Sequence, residues 1–329
     1  LLKTNPQISL KVSIALCTFN GEAFLSEQLA SLSAQSHLPD EVVVFDDGST
    51  DQTLRIVSDF ARGCSFPVRV TQNSERLGPA QNFAAVAAAC SGDLISFCDQ
   101  DDIWEANKIQ RTIEAFAGNP ELGLVFSDAE ICDSACRPLG YRLWQSVGFS
   151  SGLQRRFKGG HAFDVLLKQN VVTGATLTIR SKYRGLLLPI PSGWMHDGWA
   201  ALLVCAVGSG LGIPEALIRY RQHASQSVGA ARRSLYQQYL NARAMNRNVF
   251  AEQADQYEAA LARLQEQTDF EVSGVLIGHL QEKIRHARCR SAIRLGQKSR
   301  VLLAIGEWVT GRYGRFSLGW KSFAQDLFL

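Results

Sequence analysis

Two hydrophobic periods alternate through the first part of the chain. Unbroken apolar or β-branched runs stand at "KVSIALC" (11–17), "EVVVFD" (41–46), "PVRVTQ" (67–72), "DLISFC" (93–98) and "LGLVFS" (122–127). Between them apolar residues recur at helical spacing, as at Leu25, Leu29 and Leu32, then Leu54, Val57 and Phe60. Continuous short runs read as strands buried on both faces, and helical spacing reads as amphipathic helices. Their alternation predicts an α/β fold, a mostly parallel sheet with helices on both faces. Sheets of this kind bind ligands beyond the carboxyl ends of their strands. Polar clusters fall at those ends: "TFNGE" after the first strand, "DDGSTD" after the second and "DQDD" after the fourth.

Farther along, residues 128–160 are irregular and turn-rich, as expected of a loop region over the site. "TLTIR" (176–180) and "ALIRYR" (216–221) read as further strands, with a helix over 197–207 between them. Beyond Gly229 the pattern becomes polar and helical through about Arg290. A boundary near residue 230 therefore divides a catalytic domain, 1–230, from a helical C-terminal extension, 231–329.

Composition narrows the function classes. With 46% hydrophobic and 20% charged residues, the 329-residue chain has the makeup of a globular protein with a sizeable core. Net charge is only +3, and the basicity collects in the tail, where Arg288, Arg290, Arg294, Lys298, Arg300, Arg312, Arg315 and Lys321 face only Glu307 and Asp326. That distribution gives no support to nucleic-acid binding by the whole chain. Eight scattered cysteines, several inside apolar runs, read as reduced thiols of a cytoplasmic protein. Cys132 and Cys136 have no second pair at zinc spacing. The longest apolar run, 200–207, is far short of the roughly 18 residues that span a bilayer. Asn5, Pro6 and Gln7 interrupt the N-terminal stretch before a signal-like apolar core develops.

Candidate chemistry centres on Asp99, Asp101 and Asp102, three carboxylates in four residues at a strand end. Their mutual repulsion calls for a cation, basic groups or full solvation. Hard divalent ions such as Mg²⁺ or Mn²⁺ prefer oxygen ligands and bridge carboxylates to substrate phosphates, so a metal-bound diphosphate is the natural partner of Asp99 and Asp101. Asp102 reads as a cap for a helix beginning near Trp104.

In order and spacing, "SIALCTFNG", "VVFDDGSTDQT", "LGPAQNFAAV" and "FCDQDDIW" resemble the N-terminal half of family 2 inverting glycosyltransferases of the GT-A fold, in particular the rhamnosyltransferase-like bacterial branch. The resemblance covers roughly residues 11–229. It implies that Cys17, Phe19 and Asn20 border the nucleotide, that Asp47 accepts from the base N–H, and that Asp99 lies near ribose and diphosphate. Asp101 would hold Mg²⁺ or Mn²⁺ together with Asp99 and, after the last site strand, His223. Gly174 in "VTGATLTIR", with His196 and Trp199 in "WMHDGW", would border donor sugar or acceptor. Asp197 takes the place of the catalytic base, while His196 stands where the family usually carries Glu. The implied donor is a nucleoside-diphosphate sugar such as dTDP-rhamnose or a UDP-sugar. The implied acceptor is a hydroxyl of a glycan or lipid-linked saccharide in cell-surface polysaccharide synthesis.

Other readings compete. A helix-capping role competes for Asp197, and a surface ion pair competes with phosphate binding at Arg219 and Arg221. "VVVFDDGST" superficially resembles the first motif of Mg-dependent aspartyl-phosphate phosphatases, yet Asp46 and Asp47 are adjacent rather than separated by one residue. A nucleotide-sugar-binding protein without turnover is a third reading. The tail interleaves Trp308, Tyr313, Phe316, Trp320 and Phe323 with Arg312, Arg315 and Lys321. Such a mixture suits peripheral contact of residues 288–329 with the cytoplasmic membrane's inner face, or else packing back on the catalytic domain.

Overall fold

The computed structural model describes residues 10–223, 246–296 and 299–328. The boundary expected near residue 230 and the cation Lys298 lie outside them.

Among the described residues nine strands form one sheet: β1 (Val12–Thr18), β2 (Glu41–Asp46), β3 (Val68–Gln72), β4 (Leu94–Cys98), β5 (Ile103–Trp104), β6 (Leu122–Cys132), β7 (Pro138–Arg142), β8 (Leu177–Arg180) and β9 (Ser209–Arg221). Their order is β3-β2-β1-β4-β8-β6-β9-β5, with β7 beside β6. The first four are parallel, and the helices Leu25–Ser33, Thr53–Gly63 and Pro79–Ala89 make the crossovers. β1, β2 and β4 are apolar along nearly their whole length because both sheet faces are covered. Beyond β4 the sheet turns mixed: β8 runs antiparallel to β4 and β6, β5 to β9, and β7 to β6, while β6 and β9 are parallel.

Register gathers the polar clusters. Thr18 lies opposite Asp46 and Leu16 opposite Cys98, so the loops after β1, β2 and β4 open on one edge. β9 then returns along β6 and carries its own end, Arg221, to the same place.

Two local expectations are corrected. Residues 128–160 are not a plain loop: β6 runs on to Cys132, β7 follows, and helical turns occupy Leu143–Ser146 and Ser151–Arg156. Register shifts between Ser127 and Glu130 hid the long strand by breaking its alternation. Nor does Asp102 cap a helix, because Ile103 and Trp104 pair with Arg219 and Ile218 as a short strand. The next helix begins at Lys108, with Asn107 as its cap residue.

The helices Val249–Glu266 and Gly274–Arg294 pack against the sheet's helical layer. Tyr257, Leu264, Leu280 and Phe316 share one apolar core with Phe163, Leu187 and Trp199. Burying each such side chain contributes about 1.5–3 kcal/mol, so the extension and the sheet stabilise each other. Polar ties reinforce the contact: Trp194 Nε1 donates to Gln256 O at 2.9 Å, and Arg263 Nη1 to Leu186 O at 2.8 Å.

The tail is only partly packed back on the protein. Tyr313 and Phe316 are buried, whereas Trp308 and Trp320 are exposed. Four of its cations are spent internally: Arg288 on Asp255 and Glu258, Arg290 on Asp326, Arg312 on Glu307, and Arg315 on Glu282. No helix among the described residues is long and apolar enough to cross a membrane.

Candidate active site

Three loops are laced together at the strand ends. In the first, Thr18 Oγ1 donates to Asp46 Oδ2 at 2.8 Å, and Asp46 accepts from the backbone of Gly48 and Ser49. Asn20, in a left-handed conformation at φ 46°, accepts from Thr50 N at 2.9 Å and donates its own N–H to Ser49 Oγ. Its side chain therefore joins the loops after β1 and β2. The Gln100 side chain pairs with the Phe19 backbone in both directions, accepting from its N–H at 2.9 Å and donating to its carbonyl at 3.0 Å. Gly21 makes room for that amide, since a Cβ there would lie 2.2 Å from Gln100 Oε1.

Asp47, expected on the nucleobase, is buried and already engaged. Its carboxylate accepts from Leu77 N at 2.7 Å, Gly78 N at 2.8 Å and Asn73 Nδ2 at 2.9 Å, and so pins the 73–78 loop. Within that loop the exposed Arg76 guanidinium stacks on Phe19, 3.8 Å from its ring centroid. Neither Arg76 nor Gln100 was singled out by sequence reasoning. An amide two-point contact and a cation over a ring leave no periodic signature. Cys17 lies at the same edge, and burial together with Asp99 and Asp47 pushes its thiol well up. It is a neutral thiol rather than a nucleophile.

The carboxylates after β4 crowd together near Asp197. Burial pushes the Asp99 carboxyl up to about 8, and the negative charges of Asp101 and Asp197 add to the rise. Burial also raises Asp102, which accepts from Arg221 N at 3.0 Å and leaves its second oxygen without a hydrogen bond. Tyr220 faces the same group, raised by burial and by all four aspartates. A divalent cation would relieve this crowding.

Asp101 Oδ2 stands 2.7 Å from His223 Nε2, whose ring also packs on Phe24. Among the described residues no three His, Cys, Asp or Glu side chains converge as a metal cage, so Asp99 does not complete a triad with this pair. A carboxylate and an imidazole nonetheless fit Mg²⁺ or Mn²⁺, which bind through few protein ligands plus substrate phosphates. Arg219 and Arg221 are committed elsewhere. Arg219 Nε donates to Glu105 at 2.9 Å, and the buried Arg221 donates to Asp101 O, Ser134 O and Glu27. Arg221 braces the acidic loop against β9 rather than waiting for phosphate.

Asp197 sits in the first turn of the helix His196–Val207. It is not the cap residue, which is Met195. Its Oδ2 accepts from Gly174 N at 3.2 Å and its Oδ1 from Gly198 N at 2.5 Å. Burial raises the carboxyl to about 6 against those two bonds, which pull the other way. His196 beside it is 5% exposed, sandwiched against Phe83 and Phe97 with neither ring nitrogen hydrogen-bonded, and burial drives it down to about 3. Held that low between two rings, the imidazole is a weaker base than the Asp197 carboxylate. Trp199, expected near donor or acceptor, is fully buried, with its indole N–H on Leu187 O at 2.8 Å. Two residues beyond Asp197 on the same helix, it points into the core and anchors the helix instead.

Residues 13–165 match the family model of Glycosyl transferase family 2. A dTDP-rhamnosyl transferase, RfbG of Shigella flexneri, is 32% identical over 108 residues, which cover 32% of this chain and 37% of that protein. An uncharacterized glycosyltransferase of Nostoc is 31% identical over 117 residues, covering 35% and 36%. The chain thus spans little more than a third of the length of these curated relatives. Among solved structures, S. aureus TarS 1-349 in complex with UDP-GlcNAc superposes with a TM-score of 0.56 at 19% identity, covering 89% of this chain and 74% of that one. The mannosyltransferase PcManGT of Pyrobaculum calidifontis, in complex with GDP-Man and Mn²⁺, gives 0.51 at 16% identity, covering 97% and 84%. The parallel half-sheet, its laced loops and the aspartates after β4 all fall within residues 13–165, the segment similar to Glycosyl transferase family 2, and the chain shares the GT-A fold of these glycosyltransferase structures.

Proposed function

We propose that this chain is an inverting glycosyltransferase that moves a sugar from a nucleoside-diphosphate sugar to a hydroxyl of a glycan or lipid-linked saccharide. The observation that carries the reading is Asp197, a half-buried carboxyl at about 6 held by Gly174 and Gly198 and near enough to Asp99 to raise it. Inversion is a single displacement at the anomeric carbon. Asp197 takes the acceptor hydroxyl's proton as the nucleoside diphosphate leaves from the opposite face. A carboxyl near 6 is a stronger base than an ordinary one and is still ionised at neutral pH.

Phe19 with Arg76 above it and the Cys17 thiol form the surface for the nucleotide. Asp47 acts on the nucleotide through the 73–78 loop that it pins. Asp101 and His223, with Asp99 alongside, would hold Mg²⁺ or Mn²⁺, which supplies charge stabilisation to the departing diphosphate when bound. The likeness to a rhamnosyl transferase favours dTDP-rhamnose as donor, and those to TarS and PcManGT favour UDP- or GDP-sugars. A role in cell-surface polysaccharide synthesis on the inner face of the cytoplasmic membrane accords with a lipid-linked acceptor.

The test is a panel of dTDP-, UDP- and GDP-sugars with Mn²⁺, read as slow donor hydrolysis and therefore free of any need for an acceptor. One donor should turn over in the parent chain, stop with EDTA and stop in Asp101→Ala. His223→Ala should weaken metal dependence more than nucleotide affinity. Nucleotide-sugar binding without turnover in the parent chain would instead establish a binding protein.

A further inference from the structure

The helix Arg300–Val309 is apolar on its exposed face as well as around its buried Ala304. Its inward face carries Glu307, buried, which accepts from Arg312 Nη1 at 2.9 Å and pairs with His286 Nδ1 at 2.6 Å. Its outward face carries Val301, Leu302, Ile305, Trp308 and Val309, with Leu302 72% and Val309 78% exposed. These positions follow the spacing of one helical face. The neighbouring helix Trp320–Phe328 adds Trp320 at 66% exposure, and Leu318 stands just before it. Contact between the rings of Trp308 and Phe323, 4.8 Å apart, joins the two helices into one surface. An apolar stripe this continuous on a soluble face marks an interaction site.

Charge selects the occupant. Glu307 and Asp326 are the acids of residues 299–328, and both are buried; Asp326 accepts from Arg290 Nε at 2.7 Å and Tyr313 OH at 2.8 Å. The exposed charges on the two helices are the cations Arg300 and Lys321. Apolar residues with tryptophans, edged by cations and facing solvent without a carboxylate, match the boundary between headgroups and acyl chains of an anionic bilayer. A second copy of the chain fits less well, since a two-fold contact would set these cations against their own copies. We infer that this stripe seats the protein on an anionic membrane surface, with Leu302, Ile305 and Val309 entering the acyl region and Arg300 and Lys321 at headgroup level. The helices lie in the interface and do not span it. The inference does not rest on the transfer chemistry, because none of these residues belongs to the acidic site.

Flotation of the full chain with vesicles of phosphatidylglycerol and phosphatidylcholine tests it, alongside vesicles of phosphatidylcholine alone. The parent chain should float with the anionic vesicles, less so at high salt, and more weakly with the neutral ones. Leu302→Glu/Val309→Glu should cut the bound fraction by roughly tenfold or more, the scale for removing two leucine-sized side chains from an apolar phase. Both positions are exposed, so the thermal melt of the variant should match the parent and separate lost binding from lost folding. Arg300→Glu/Lys321→Glu should abolish the preference for phosphatidylglycerol. Flotation of Leu302→Glu/Val309→Glu equal to that of the parent, or a parent chain that floats with neither vesicle, overturns the inference. A parent dimer by light scattering that becomes monomeric in the same variant overturns it too, by assigning the stripe to a second copy.

Discussion

Gly174 lies against the edge of the His196 ring, so closely that a Cβ on Gly174 would stand 2.2 Å from Nε2. The same glycine donates its N–H to Asp197 Oδ2. Backbone, imidazole and proposed base are thus one interlocked unit, and His196 sets the distance of the 174 backbone from the helix that carries the base. Gly174→Ala should destabilise the fold by about 1–3 kcal/mol through overpacking, and should lower turnover beyond any loss of folded protein. His196→Ala opens space beneath Gly174, so the double variant should be more stable than the sum of the two single changes predicts. Urea unfolding of all four forms measures that coupling. Strict additivity would show that the two residues do not meet in solution.

Gln100 closes the loop after β4 onto the loop after β1 through the two backbone groups of Phe19. Gln100→Ala leaves both groups without their partner in a half-buried place and should cost about 1–3 kcal/mol of stability. Its larger effect should be on nucleotide affinity, because Phe19 and the stacked Arg76 lose their fixed position. Calorimetry with a nucleoside diphosphate should show Kd rising by about tenfold, the scale of one lost anchoring contact. An unchanged Kd would remove Phe19 from the nucleotide site.

How much of this was legible in the sequence differs by element. The strands β1, β2 and β4 were readable within a residue or so because both their faces are covered, which makes burial and sequence run parallel. Asp99 and Asp101 stand out because acids at a strand end are conspicuous against an apolar run, whereas Asp197 was singled out by the resemblance to the family and not by its place at a helix start. The meeting of Asp101 with His223, 122 positions apart, follows only from β9 returning beside β6 and could not be read from spacing. Trp199 misled for the converse reason: it follows Asp197 by two residues, but helical geometry turns it away into the core. Sequence left phosphate binding and an ion pair both open for Arg221, and its partners Asp101 O, Ser134 O and Glu27 meet it only because β9 ends beside the acidic loop.

Glu41 at the start of β2 gives the sheet a pH dependence of its own. Burial pushes its carboxyl up, but bonds from Ser13, the Ser91 backbone and Arg69 outweigh this and bring it down to about 2. A depressed folded-state carboxyl contributes stability that is present above the ordinary glutamate range and is lost as pH falls through about 2. Glu41→Gln should therefore lower stability by about 2–3 kcal/mol at neutral pH and flatten its decline between about pH 4.5 and 2. Chemical unfolding of both proteins across that range reads the difference. Parallel curves would show that Ser13, Ser91 and Arg69 hold the side chain equally well when it is neutral.

Asp197 should show the opposite linkage, and it ties stability to activity. Its folded-state carboxyl, raised by burial to about 6, prefers to be protonated. Stability from this group is therefore full at low pH and declines as pH rises from the ordinary aspartate range through about 6. Proton acceptance needs the charged form, so transfer should rise over the pH interval in which stability falls, with an acid limb centred near 6. Asp197→Asn keeps the shape and one acceptor oxygen for Gly174 or Gly198, and should bind donor nearly as the parent does. Its transfer rate should drop by about 10² or more, the lower end of what a lost general base costs, and the acid limb should vanish. Stability of the variant should fall less steeply between about pH 4 and 6, since one of the ionisations behind the decline is gone while Asp99 and Asp102, also raised, keep theirs. A variant that keeps the acid limb would assign it to another carboxyl, Asp99 first, and leave Asp197 as a brace for the 174 backbone.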